Sequence, residues 1–232
     1  MLVFKGLQKT TLIDFPGKVA CTLFLPKCNF RCPFCYNRQL VLGQKTGLEL
    51  DENEAIRFLR ERKGFLDGIC ISGGEPLLHD LAPFLQKAKG LGLLVKIDTN
   101  GSKPAALKSL AGNGLVDYVA MDIKASGQNY EKAAGTKVDL DAIDKSASFL
   151  KNGLVEYEFR CTVVPGIHSR EDMLGIGRWL SGAKRFFIQQ FNPNVPLLDT
   201  AFEKVKPFSP KELKEFAELL GDFFGEVKVR SI

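Results

Sequence analysis

Val19–Asn37 reads VACTLFLPKCNFRCPFCYN, an apolar run followed at once by three cysteines, Cys28, Cys32 and Cys35. Their spacing is C-x3-C-x2-C. Three thiolates this close can hold three corners of a metal cluster, and no fourth cysteine lies nearby to close the site. A reactive iron–sulfur cluster needs that open position, because the free iron can bind a second molecule. A structural zinc site is expected to be closed by a fourth Cys or His at a finger-like distance. The nearest histidine, His79, belongs to no such motif. A zinc site and a purely structural trio are the competing readings. Cys21, Cys70 and Cys161 lie in apolar runs (VACTLFL, GICIS, EFRCTVV), where cysteine behaves as a small buried hydrophobe.

Outward from this loop the chain alternates apolar strands with amphipathic helices. The first strand covers about Lys18 to Leu25. A helix near Asp51 to Lys63 opens with Asp51 and Glu54 in capping-box spacing and takes Ile56, Leu59 and Phe65 as apolar positions. A second strand, Gly68 to Ser72, runs into GGEP, and a helix over about Asp80 to Lys89 carries Leu81, Phe84, Leu85 and Ala88 on one face. The third strand, Leu93 to Asp98, ends in TNG. Pro104 suits the first turn of a helix that ends in the glycine-rich AGNG. The fourth strand is Tyr118 to Ile123, with a helix near Leu140 to Lys151, and the fifth is Val155 to Val164. Ser169 and Asp172 cap the next helix, the sixth strand is Arg185 to Gln190, Ser209 and Pro210 cap a last helix, and Glu226 to Arg230 is a short terminal strand. Six βα units with right-handed crossovers predict an α/β fold, a parallel sheet curled into a partial (β/α)6 barrel of TIM type with a lateral mouth.

At 232 residues the chain fits one large domain, and 45% hydrophobic content supplies its core. No stretch approaches the roughly 18 to 20 apolar residues of a membrane span, and the N-terminus has no signal core, so a cytoplasmic protein is expected. Net charge is +5, but the charges sit on helical faces such as RFLRERK, which argues against nucleic acid as a partner.

In parallel barrels, catalytic groups gather where strands end at their C-termini. Here the unusual residues fall there in succession: the cysteine loop, Gly73-Gly74-Glu75, Asp98-Thr99-Asn100, Asp122 with Lys124, Arg160, and Gln189-Gln190. Glycines at 73 and 74 permit positive φ and close backbone approach, though a plain turn would use them too. Asp98 to Asn100 could be only an Asx-type turn. Asp122 and Lys124 share one strand face and could be a modest salt bridge. Arg160 in an apolar strand is costly unless partnered, and a ligand carboxylate or hydroxyl is the favoured partner over a structural ion pair. Phe34 either shields the cluster or is ordinary core. His79 reads as a helix-start residue, His168 as part of the loop VPGIHSR, and neither is assigned to catalysis.

The three-cysteine spacing resembles that of the radical S-adenosylmethionine (SAM) enzymes. The segments GLQKTTLIDFPGKVACTLFLPKCNFRCPFCYN, ISGGEP, DTNG, MDIKA, FRCTVVPG and IQQFNP resemble the anaerobic ribonucleoside-triphosphate reductase activating proteins, which are glycyl-radical-enzyme activases. The resemblance runs over nearly the whole chain and implies one radical SAM domain, 1–232. It implies that Cys28, Cys32 and Cys35 hold a 4Fe–4S cluster whose fourth iron is chelated by SAM. Gly73, Gly74 and Glu75 then hold SAM's amino group, Asp98, Thr99 and Asn100 rim its ammonium and ribose, and Lys124 neutralises its carboxylate. Asp122 would hold a monovalent cation or an amine, Arg160 a ligand oxygen, and Phe34 would stack near adenine. Gln190, with Gln189, stands where pyruvate formate-lyase activase has a nucleoside-contacting His, and Tyr36 stands where a His often follows the third cysteine. The implied reaction takes one electron from flavodoxin or ferredoxin and cleaves SAM to methionine and a 5′-deoxyadenosyl radical. That radical removes hydrogen from a glycine of a partner enzyme, anaerobic ribonucleotide reductase or a related glycyl radical enzyme. The protein supplies placement, and no side chain need act as acid or base. The alternatives are a radical SAM enzyme for a small molecule, as 7-carboxy-7-deazaguanine synthases are, and a non-catalytic metal-binding protein.

Overall fold

A computed structural model describes residues 2–44, 47, 49–127 and 129–230. Strands β1 (Val3–Phe4) and β2 (Gly6–Thr11) precede β3 (Ala20–Leu25). After the cysteine loop come α1 (Arg38–Val41), β4 (Leu50–Asp51), α2 (Glu52–Glu61), β5 (Gly68–Gly73), α3 (Ala82–Gly90), β6 (Leu94–Thr99) and α4 (Pro104–Gly112). The second half holds β7 (Tyr118–Asp122), α5 (Tyr130–Ala134), α6 (Leu140–Lys151), β8 (Glu156–Val163), α7 (Arg170–Leu180), β9 (Ala183–Gln190), α8 (Pro210–Leu220) and β10 (Phe224–Arg230). One sheet runs in the order β10-β9-β8-β7-β6-β5-β3-β2. From β3 to β10 every pairing is parallel, and β2 joins β3 antiparallel. This is the open, partial α/β barrel expected from the alternation.

The helix starts follow from side-chain chemistry. Asp51 Oδ1 accepts from Glu54 N at 2.9 Å while Asp51 N donates to the Glu54 carboxylate at 2.8 Å, a reciprocal box that satisfies end groups left free by the helix. Ser169 with Asp172, and Ser209 with Glu212, close boxes of the same kind. Two expectations need correction. Phe65 lies past the end of α2, 57% exposed, beneath the Arg62 guanidinium. The sheet also begins earlier than Lys18: β2 is largely polar and exposed, so it shows no apolar period.

Alternation along the strands divides the sheet's two faces. Leu23, Ile71, Ile97, Met121, Phe159 and Ile188 pack with helix residues such as Leu59, Phe84, Ile143 and Met173 in one continuous core. Each such fully buried side chain contributes roughly 1.5–3 kcal/mol. The intervening residues Ser72, Asp98, Asp122, Arg160, Thr162 and Gln189 face a cavity instead. One face therefore holds the fold together, and the other is free to carry chemistry.

Candidate active site

The cavity, about 260 Å³, sits beyond the C-terminal ends of the parallel strands and is walled on one side by the cysteine loop. Cys28, Cys32 and Cys35 all line it, as do Phe34, Gly73, Gly74, Asp98, Thr99, Asn100, Asp122, Lys124 and Arg160. With Gln189, six separate stretches of sequence thus meet at one place.

The cysteine loop is held mainly by backbone bonds from distant elements. Lys27 N donates to Leu40 O (2.9 Å), Arg31 N to Ala134 O (2.7 Å), Leu198 N to Cys35 O (3.2 Å) and Asp199 N to Pro33 O (2.9 Å). The Tyr36 hydroxyl accepts from Asn192 N at 2.8 Å. On the other side the GGE loop presses against the exit of β3. Gly73 has φ +120°, and a Cβ there would stand 2.3 Å from Leu25 O. At Gly74 a Cβ would stand 1.8 Å from Lys27 O. No larger residue fits either position without moving backbone, and Glu75 N donates to Lys27 O at 2.7 Å across this contact.

The three cysteines are free. Burial pushes the Cys32 thiol up to about 12 and raises Cys28 and Cys35, with Lys124 acting in the opposite direction on each. Metal binding must therefore displace protons from these sulfurs. Among the described residues, no three His, Cys, Asp or Glu side chains converge on a point where a single ion would sit. All three cysteines line one shared cavity, a setting that suits a multi-iron cluster with three thiolate ligands. The donor set and the glycine-lined approach fit such a cluster with a small ligand beside it.

Facing the thiols is a line of charge. Asp98 bonds Lys96 through Oδ1, lies 3.5 Å from Arg160 through the same oxygen, and accepts from Ser72 Oγ at 3.1 Å. Asp122 accepts from Arg160 Nε at 2.8 Å and faces Lys124 Nζ at 3.4 Å. Burial works against the charge on Asp98, but Arg160 and Lys96 outweigh it and hold the carboxyl down at about 2. Lys124 is raised despite burial, by Asp122 and then Cys32. Three cations share two carboxylates, which leaves one positive charge in excess on the cavity wall. Both Asp122 oxygens are engaged by cations rather than left open for one.

Three expected site residues stand differently from their reading. Arg160 lines the cavity but is already paired with Asp98 and Asp122, because the register Asp122↔Arg160 sets them side by side. Glu75 is fully buried outside the lining. Its carboxylate accepts from Thr99 Oγ1 and Asn100 N, both at 2.7 Å, and from Leu77 N at 3.1 Å. Burial raises it to about 7, against these three donors. It braces the DTN loop instead of facing the cavity. Gln190 points away, its amide donating to Phe191 O and Phe208 O at 3.3 and 3.2 Å. Gln189 takes the inward place. Sequence reasoning missed Ser72 and Thr162, although the period of two that places Asp98 and Arg160 inward predicts both.

Among the described residues no helix is long and apolar enough to cross a membrane. The Radical SAM superfamily model matches residues 22–179. A Methanocaldococcus jannaschii protein provisionally named a glycyl-radical enzyme activating enzyme is 34% identical over 98% of this chain and 95% of its own. The 7-carboxy-7-deazaguanine synthase of Koribacter versatilis is 31% identical over 68% of this chain and 66% of its own. The SAM-bound crystal structure of Streptococcus suis SuiB superposes with a TM-score of 0.67 at 17% identity, covering 91% of this chain. This chain spans about half of SuiB, 51% of its length, and that likeness bears on fold.

Proposed function

This chain belongs to the radical SAM superfamily, and we propose that within it the protein activates a glycyl radical enzyme. The carrying observation is the near full-length similarity to the Methanocaldococcus jannaschii protein provisionally named for that activity. The partner we favour is an anaerobic ribonucleoside-triphosphate reductase or a related enzyme, with flavodoxin or ferredoxin as reductant. When bound, a 4Fe–4S cluster with SAM would supply one-electron reductive cleavage of the sulfonium and, through it, hydrogen abstraction from a glycine Cα of the partner.

The chain's own residues bind and exclude. Cys28, Cys32 and Cys35 would hold three irons of the cluster. Lys124, the cation of the charge line that acts on all three thiols, would face the ligand carboxylate. Gly73 and Gly74 offer backbone to the ligand's amino group, and Asp98, Thr99 and Asn100 form the adjoining rim. Phe34, buried and on the cavity wall, keeps water from the cluster. Asp122 and Arg160 fix Lys124 and the floor rather than move protons.

Anaerobic reconstitution with iron and sulfide, followed by SAM and dithionite, tests the first step: 5′-deoxyadenosine forms with wild type and not with Cys32→Ala. A glycyl-radical doublet in electron spin resonance on adding the reductase tests the second. The similarity to 7-carboxy-7-deazaguanine synthases favours a second reading, a small-molecule substrate. Deoxyadenosine formation stimulated by a small molecule, with no protein radical, would decide for it.

A further inference from the structure

His168 is buried, 4% exposed, in the turn that follows β8. Val164 N donates to its Nδ1 at 2.9 Å, so that nitrogen carries no proton. The ring proton is then on Nε2, which lies 2.8 Å from Lys124 O and donates to it. Cys161 Sγ is 3.4 Å from the same nitrogen.

The place of this bond matters. The β7–β8 ladder ends at Asp122↔Arg160, with Ile123 N still donating to Arg160 O at 2.7 Å. One residue further the chain leaves the sheet, and the Lys124 carbonyl has no strand to receive. His168 fills that role. Lys124 is thereby anchored at its main chain on both sides, by β8 through Ile123 and by the imidazole through its own carbonyl. Its ammonium is left to Asp122 and the cavity.

We infer that His168 is a positioning residue: its Nε2–H fixes the Lys124 main chain and so holds the Lys124 ammonium against the carboxylate of bound SAM. This rests on the reading of Lys124 given above.

The test is equilibrium binding of SAM to the cluster-loaded, unreduced protein. His168→Leu keeps the bulk and removes both ring nitrogens. It should raise Kd about tenfold, the scale of a lost buried hydrogen bond with its acceptor left unpaired. His168→Gln, whose amide nitrogen reaches the Nε2 position, should stay within about twofold of wild type. Lys124→Met should weaken SAM binding by itself, and adding His168→Leu to it should cost nothing more, since the two act as one unit. A merely structural histidine would lower Tm, leave Kd unchanged, and overturn the inference while the reading of Lys124 stood. Full additivity in the double variant would overturn it as well. If Lys124→Met bound SAM as wild type does, the reading of Lys124 itself would fall. Should His168→Leu not fold, His168→Asn, too short to reach Lys124, carries the same comparison.

Discussion

Two walls enclose the cavity, and they are built on opposite plans. The cysteine wall is a loop whose ligands are local in sequence and whose support is largely backbone hydrogen bonding from elsewhere. The facing wall, Lys96–Asp98–Arg160–Asp122–Lys124, consists of side chains from three strands and the exit of one of them, brought together by register and held by charge. The first keeps its shape if a side chain is trimmed. The second does not, because each charge is compensated by its neighbours. On the proposed function, ligation would fall to a sturdy scaffold, and electrostatic fit to a cooperative one.

The largest effect should come from the cysteine wall by removing a ligand. Cys32→Ala should abolish deoxyadenosine formation, read against Cys21→Ala, whose thiol is buried outside the cavity and which should keep its iron. Next comes the contact between the walls' supports. Gly74→Ala sets a Cβ against Lys27 O, and should cost about 3 kcal/mol in denaturant unfolding, typical of forced core strain. Wild-type stability for that variant would mean the loop yields easily, and the contrast between the walls would weaken.

The charged wall should break by a different rule. Asp98→Asn leaves Lys96, 1% exposed, without its carboxylate, and should cost roughly 3 kcal/mol, as an uncompensated buried charge does. Because the Asp98 carboxyl is held at about 2 against an ordinary 3.8, its contribution is present above that ordinary value. It is lost as pH falls towards 2, so the variant's deficit should shrink in acid. Glu75 has the opposite sign. Its folded-state value, raised to about 7 from 4.5, means the native state binds the extra proton, so stability falls as pH rises between those values. Glu75→Gln should flatten that slope in thermal unfolding followed across pH. The smallest effect belongs to Gln190→Ala, which should leave SAM affinity within about twofold. Among the described residues the outward amide donates to the carbonyls of Phe191 and Phe208, so a loss of affinity as large as that of Lys124→Met would refute the inward role given to Gln189.

The two walls were also unequally readable. The cysteine spacing and the GG step announce themselves because their function depends on residues adjacent in the chain. The caps at Asp51, Ser169 and Ser209 were legible for the same reason. The partners of Arg160 were not, since they depend on which residue of β7 lies beside it, and a parallel register is set by packing of the whole sheet. Gln190 was misjudged against Gln189 because a one-residue difference reverses the face. Glu75 looked like a ligand group, but whether a carboxylate faces a cavity or the loop behind it is decided by Thr99 and Asn100, far along the chain. β2 escaped because an exposed, polar edge strand has no apolar period to find, and β1, two residues long, is too short to show one.

The bond from Asn192 N to the Tyr36 hydroxyl joins positions 156 residues apart, and Leu198 and Asp199 add two more between the same segments. During synthesis the cysteines emerge early, yet three of the bonds that fix their loop wait for backbone that emerges only after β9. Until then the thiols belong to an unfinished surface, open to oxidation or to the wrong metal. On the proposed function, faithful loading of a cluster would then be a late event in the life of the chain, one that waits on its last third.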